Sequence, residues 1–247
     1  MKACALVPIY DHGSTLARVL DGLASSGLPI LLVDDGSGAE TVRAIEQAKA
    51  RHPQVTSVRH ARNLGRGAAL RTGYRAAAER GFTHALQLDA DAQHDPADAP
   101  RFLEAAAADP EALVLGCPVF DESVVRARLF GRQLSRVWVW IETASFAIAD
   151  PLCGYRCMPL RATLDVLETE SCGDHMEFDS EIAVRLVWRG VPVVNVPTHV
   201  RYYADGISHF DMWRDNVRIS KMHARLFALS LAQRLRFAGG RRAGAAS

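Results

Sequence analysis

The stretch "ALQLDADAQHD", residues 85–95, sets three oxygen-bearing side chains two residues apart: Asp89, Asp91 and Gln93. Carboxylates buried without partners are costly, so these acids need a partner. If the apolar run before them is a strand that continues to residue 93, alternation puts all three on one face. If it ends near residue 90, they converge at its tip. Either way they offer the oxygen ligands that hard divalent cations take, and Mg²⁺ commonly completes such a site with substrate phosphates. His94 adds a nitrogen, which tilts the choice toward Mn²⁺. For this stretch alone, a solvated Asp-rich turn is the plainer alternative.

Two further clusters change that balance. "LLVDDGSG" (31–38) carries a second acidic pair, Asp34 and Asp35, with no basic neighbour in sequence. Asp35 suits hydrogen bonds from a ribose or a base edge, and Asp34 suits bracing of the loop. "RNLGRGAAL" (62–70) has glycines that let backbone approach a ligand, and the helix after it offers free N–H groups to an anion. Arg62 and Arg66 add positive charge. Its GxG is not a dinucleotide fingerprint, because Leu70 stands where a small residue is wanted, and no GxxxxGK[ST] loop is present. "HMEFDSEI" (175–182) offers Glu177, Asp179 and Glu181. Asp179 and Glu181 alternate, and one of these acids is a candidate base; the alternative is acids favoured by a helix N-terminus.

The elements that must position these clusters alternate in kind. Apolar strand patterns at 3–10, 29–38 (a strand running into an acidic, Gly-containing loop), 55–60 and 84–91 are separated by helical patterns at 14–27, 39–52 and 65–81. That order predicts an α/β fold with a mostly parallel sheet. In such sheets ligands gather at the carboxyl ends of strands. "YDHGS", "DDGSG" and "DADAQ" all fall there. Beyond residue 95 the patterns predict a helix over 99–109, a strand over 112–118, a long helical stretch over 124–148 and an extended segment over 191–203.

With 247 residues, 49% of them apolar, the chain suits one large domain or two lobes sharing a core. A net charge of +1 gives no global field for nucleic acid. The five cysteines form no repeated CxxC arrangement, so neither a zinc site nor a disulfide framework is expected, and a reducing cytoplasm is the default. The N-terminal apolar run meets Pro8 too early for a signal peptide. The apolar stretch 137–149 is broken by Glu142 and falls short of the ~20 residues that span a bilayer.

"LVPIYDHGSTL", "LLVDDGSG", "RNLGRGAALRTGY", "LQLDADAQHD", "DPLCGYR", "MEFDSEIAVRLVWRG" and "RYYADGIS" stand in an order and spacing that resemble family 2 glycosyltransferases of the GT-A fold over about residues 4–210. Within that family they most resemble the dolichyl- and polyprenyl-phosphate sugar synthases. The resemblance implies a nucleotide-sugar donor, inversion at the anomeric carbon, a DxD-type site for Mg²⁺ or Mn²⁺, and a lipid or lipid-phosphate acceptor. Carried over by residue, Pro8, Tyr10 and Asp35 would hold the nucleoside. Asp89, Asp91 and Gln93 would hold the metal and diphosphate, with Arg66 beside them. Arg201 and Ser208 would lie near the phosphates or the acceptor. Asp91, Asp179, Glu181 and Arg201 are the catalytic candidates.

The sequence departs from those synthases at three places: Asp11-His12 in place of Asn-Glu, Gly116-Cys117-Pro118 in place of Gly-Ser-Arg, and a late loop ending Ser208-His209 in place of Ser-Lys. A missing Arg and a missing Lys weaken an acceptor-phosphate site; the donor chemistry is untouched. The QxxRW signature of polymer synthases is absent. A nucleotidyltransferase and a non-catalytic nucleotide-sugar binding module are the competing classes. The first would carry a Gly-rich basic loop after the first strand, which "PIYDHGS" lacks, and the intact acidic clusters speak against the second.

These signals divide the chain into a domain over 1–210, an amphipathic basic helix over 211–237 and a disordered tail over 238–247. The helix mixes Trp213, Phe227 and Leu231 with Arg214, Lys221 and Arg225, a composition suited to the headgroup boundary of an anionic membrane. The expectation is therefore a peripheral association with the cytoplasmic leaflet, against the alternative of a helix that only packs on the domain.

Overall fold

The computed structural model describes residues 1–120, 126–201 and 209–244. Strands β1 (Ala3–Ile9) and β2 (Ile30–Asp34) carry apolar residues on both sides, so each must be covered on both faces. Cys4 and Leu6 join Leu31 and Val33 in one core, while Ala5, Val7 and Ile9 join Ile30 and Leu32 in the other. Helix α1 (Gly13–Ala24) caps the second core through Leu16, Val19, Leu20 and Leu23, which recur at helical spacing on one face. Burying one such leucine contributes about 2 kcal/mol. Helix α2 (Ala39–Arg51) lies beside α1, and α3 (Arg66–Glu79) covers the first core with Leu70 and Tyr74.

The remaining strands are β3 (Val55–Arg59), β4 (His84–Gln87), β5 (Leu113–Phe120), β6 (Arg156–Pro159) and β7 (Val193–Val200). The remaining helices are α4 (Ala99–Ala108), α5 (Arg126–Thr143), α6 (Leu160–Thr169), α7 (Phe178–Trp188) and α8 (Arg214–Gly244). The sheet order is β3-β2-β1-β4-β6-β5-β7. Pairing is parallel throughout except at β6, which runs antiparallel to both β4 and β5. The architecture is therefore the expected α/β fold with a mostly parallel sheet. The chain winds from β1 out to β3, then crosses back to β4 on the other side of β1. That reversal opens a crevice beyond the carboxyl ends of β1 and β4.

Three boundaries differ from the sequence reading. The strand expected over 84–91 ends at Gln87, and Ala92 adopts a left-handed φ of 61°, so the chain turns at the acids instead of continuing straight. The helix expected over 211–237 begins at Arg214 and continues to Gly244, taking in residues 238–244 that were read as tail. Strand β6 was not anticipated, because four residues that open with an arginine carry no period-two signal.

Candidate active site

The crevice holds a cleft of about 1280 Å³. Pro8, Tyr10 and Asp35 form one wall, at the ends of β1 and β2. Asp89, Asp91 and Gln93 follow β4, and Arg66 and Asp179 face the same space from the first turns of α3 and α7. Parts of α5 and α8 close the far side. The acids thus converge at a strand tip, the second of the two geometries open to the sequence.

Arg66 is the partner that Asp89 lacked in sequence. Its Nη2 lies 2.6 Å from Asp89 Oδ1, with Nε at 3.2 Å, and its Nη1 pairs with Asp179 Oδ2. One guanidinium therefore bridges two carboxylates. Gly154 makes room for this: a Cβ there would run into the Asp89 carboxylate. Gly65, at φ 104°, sits where a side chain would strike Asp174 and His175, and so lets α3 begin against that loop. Burial pushes the Asp89 carboxyl up, but Arg66, with help from His94 and Arg156, holds it below its ordinary value.

Asp91 has a different environment. Its Oδ1 accepts the Gln93 N–H at 3.0 Å. Burial first, and then the charge of Asp89, push its carboxyl up to about 6. His94, at 8% exposure, has no hydrogen-bond partner for Nδ1 among the described residues, and burial lowers its ring to about 4. Two neighbouring carboxylates, of which Arg66 pairs with Asp89 and Asp91 has its proton affinity raised by burial and by Asp89, match what a hard cation would relieve. Among the described residues no set of three or more His, Cys, Asp or Glu side chains forms a metal cage. Asp89, Asp91 and the Gln93 amide fit an open site, of the kind completed by phosphate oxygens.

Asp179 is held from three sides. Besides Arg66, Gln87 Nε2 donates to its Oδ1 at 3.1 Å, and Arg156 Nη1 lies 3.6 Å away. Tyr74 in turn donates to Gln87 Oε1 at 2.5 Å. Glu181 does not reach the cleft. Two residues along a helix turn a side chain by about 200°, so the alternation that would pair it with Asp179 in a strand separates them in α7. Glu181 is fully buried, paired at 2.6 Å with both Arg185 and Arg225 and accepting the Gly173 N–H at 3.0 Å. Its place is structural, a correction to the reading that made it a candidate base.

Asp35 lines the cleft but also has partners of its own: His60 Nδ1 at 2.7 Å, and the N–H groups of Leu64 at 2.9 Å and Gly65 at 2.8 Å. It braces the "RNLGRG" loop as Asp34, which accepts the Ser37 N–H and pairs with Arg59, braces its own. Arg201 is exposed and off the cleft wall, though its N–H donates to Gln93 O at 3.0 Å and so ties the end of β7 to the acids. Ser208 lies outside the described residues.

Sequence reasoning missed Arg156, which is fully buried and donates to the carbonyls of Cys153, Asp179 and Pro151 at 2.6–2.7 Å. Burial lowers its proton affinity to about 10, still above neutrality. No pattern signals a charged group that takes its partners from main-chain carbonyls. His12 and His209 were also not foreseen together; their rings stand 5.0 Å apart on the cleft wall, with Tyr10 5.0 Å from His209. Burial and then His209 lower the proton affinity of His12, against Asp89 and Asp11, which raise it.

The family profile described as Glycosyl transferase family 2 matches residues 4–161. The chain is 29% identical over 213 residues to an undecaprenyl-phosphate mannosyltransferase from Micrococcus luteus, covering 80% of this chain and 82% of that protein. It is 25% identical over 205 residues to a polyprenol monophosphomannose synthase from Mycolicibacterium smegmatis, covering 79% and 76%. Among solved structures, glucosyl-3-phosphoglycerate synthase from Mycobacterium tuberculosis, in complex with Mn²⁺, uridine-diphosphate-glucose and phosphoglyceric acid, superposes with a TM-score of 0.66 at 16% identity, covering 94% of this chain and 79% of that one. With the matched profile spanning β1 to β6 and the crevice that holds the acids, the chain belongs to glycosyl transferase family 2.

Proposed function

We propose that this glycosyltransferase is inverting and metal-dependent, and moves a sugar from a nucleotide-sugar donor to a lipid or lipid-phosphate acceptor at the cytoplasmic face of an anionic membrane. The observation that carries the reading is the convergence of Pro8, Tyr10 and Asp35 with Asp89, Asp91, Gln93 and Arg66 in one cleft at the sheet's crossover. The first three suit a nucleoside, and the other four suit its diphosphate. Asp89, Asp91 and Gln93 would hold Mg²⁺ or Mn²⁺, which when bound neutralises charge developing on the departing diphosphate. The Mn²⁺ and nucleotide sugar held by the glucosyl-3-phosphoglycerate synthase support this assignment.

Arg66 supplies a fixed positive charge at the same place, aimed by Asp89 and Asp179. The acceptor oxygen attacks from the side opposite the leaving diphosphate, and that direction inverts the anomeric carbon. A phosphate acceptor is already anionic and needs no strong base; Asp179, engaged by Arg66 and Gln87, is suited to holding Arg66 and not to taking a proton. Arg201, tied to Gln93 through its backbone, is the candidate for contact with the acceptor.

The lipid and membrane part rests on the polyprenyl-phosphate relatives and on two exposed apolar faces. Phe130, Leu134, Val137 and Ile141 are exposed at helical spacing on α5, and Phe227, Leu231 and Leu235 on α8. Lys221 is exposed on the same helix, and a basic residue near an anionic surface contributes about 1 kcal/mol. Among the described residues no helix is long and apolar enough to cross a membrane.

The test is a panel of sugar nucleotides with undecaprenyl phosphate in anionic vesicles, and separately with phosphoglyceric acid. Metal-dependent release of nucleoside diphosphate with the lipid supports the proposal. Release of pyrophosphate in a parallel assay with a nucleoside triphosphate and a sugar phosphate would instead indicate a nucleotidyltransferase, and binding of sugar nucleotides without release a non-catalytic module. Release with phosphoglyceric acid alone would replace the lipid acceptor by a water-soluble one.

A further inference from the structure

One arm of the cleft runs away from the acids between α5 and α8. Arg132 stands near the acid end, where it pairs with Asp150, and Trp138 follows six residues later on the same cleft wall, about 9 Å along the helix axis. At that far end His223 of α8 stacks on Trp138, with ring centroids 6.1 Å apart. Its Nδ1 lies 2.8 Å from Oε1 of Glu142 on α5. Both side chains are at least nine-tenths buried, at 5% and 0% exposure. His223 Nε2 and Glu142 Oε2 are both buried with no hydrogen-bond partner among the described residues.

A buried polar atom without a partner is costly, so one kept in this state on a residue of the cleft wall points to a ligand. With Nδ1–H donated to Glu142, a neutral ring leaves a lone pair at Nε2. Nε2, on a residue that lines the cleft, is then an acceptor and calls for a donor. A second negative charge is unwelcome beside the pair: burial, with the Glu181 charge behind it, already raises the Glu142 carboxyl above its ordinary value. The walls on either side are apolar, formed by Leu134, Trp138, Ile219 and Ala224. Leu134 belongs to both the cleft wall and the exposed apolar face of α5, so the arm opens directly onto that face.

We infer that the arm between α5 and α8 is a binding site for an amphiphile bearing an uncharged hydroxyl group, which donates to His223 Nε2 at the end of the arm away from Arg132. As an acceptor site the inference rests on the transferase reading above; as a binding site it stands without turnover. His223 here is a binding residue and takes no proton from the reacting oxygen.

The test uses the full chain with ¹⁵N-labelled histidine, titrated with hexyl glycerol ether and, in a separate sample, with hexyl phosphate. Both probes are soluble without detergent. The His223 ring signals are assigned by their loss in His223→Gln, or by their displacement in Glu142→Gln should the first variant fail to fold. The expected result is a saturable shift of the His223 Nε2 signal with the glycerol ether and none with the phosphate. His223→Phe should weaken glycerol ether binding about tenfold, and His223→Gln, which keeps a hydrogen-bonding group, by less. No shift with the ether, or an equal or larger shift with the phosphate, overturns the inference. If no sugar nucleotide is turned over with any acceptor, the transferase reading fails, while the titration still decides the site.

Discussion

Two pairs of acids are spaced alike in sequence and end differently. Asp89 and Asp91 follow a strand and turn together into the cleft. Asp179 and Glu181 sit in the first turn of a helix and part company, one toward the cleft and one into a cage of arginines. A spacing of two carries functional meaning only with the backbone it stands on. The two cleft acids that Arg66 bridges also come one from each pair, so the working unit cuts across the sequence motifs.

The sharpest way to break this comparison is to remove one acid from each pair. Asp91→Ala should lower nucleoside diphosphate release by about a thousandfold while the protein stays folded, because an anionic ligand is lost where diphosphate charge develops. Steady-state rates against Mg²⁺ and Mn²⁺ concentration check it; a wild-type rate indifferent to chelator would remove the metal from the account. Glu181→Ala should act the other way round. It removes the buried carboxylate shared by Arg185 and Arg225, leaving Arg185 only Glu170 and the Ser171 carbonyl, and should destabilise the fold by about 3 kcal/mol, seen in urea melts, with metal affinity of the folded fraction unchanged. A folded, stable Glu181→Ala protein that fails to bind metal would return Glu181 to the site.

Asp35→Ala tests whether a cleft residue can belong to both categories. It should weaken nucleoside diphosphate binding in calorimetry and also destabilise the chain by about 2 kcal/mol, since two loop N–H groups lose their acceptor. Gln93→Ala should be milder than Asp91→Ala, about tenfold in metal affinity, because a neutral ligand carries less of the binding.

The smallest effect is a pH dependence that separates Asp91 from Asp89. A carboxyl raised to about 6 is protonated below that pH, and the proton competes with the cation. Metal affinity should then weaken by about tenfold per pH unit below about 6 and level off above it. For the metal-free protein the sign is opposite. The folded state holds this proton more tightly than the unfolded chain, so stability falls as pH rises from the ordinary carboxylate range to about 6. Isothermal titrations and urea melts at a series of pH values read the two slopes.

The winding from β1 to β4 was legible because its strands are short apolar runs separated by helices of clear 3.6-residue period, and the three polar clusters fall at strand ends. The acids' convergence at a strand tip was one of two readings, settled by the turn at Ala92, which no apolar pattern marks. Glu181 misled because alternation was read without knowing that residue 178 opens a helix. Arg66 was legible as charge but not as the bridge between Asp89 and Asp179, which needs residues separated by more than a hundred positions to meet. The Glu142–His223 pair left no trace in sequence: its members stand 81 residues apart on helices whose meeting only the tertiary fold dictates.

Arg156 has a consequence for how the chain comes to be folded at all. Its guanidinium is sealed in the interior with the carbonyls of Pro151, Cys153 and Asp179 around it. The first two are local, but the third arrives only with α7. A nascent chain that has emerged as far as residue 161, with every strand of the family profile made, still has this charge lacking its third carbonyl, and its β5 edge waits for β7. Burying the centre of the sheet therefore draws on α7 and β7, both beyond the matched profile, so the donor wall depends for its packing on residues that never touch a substrate.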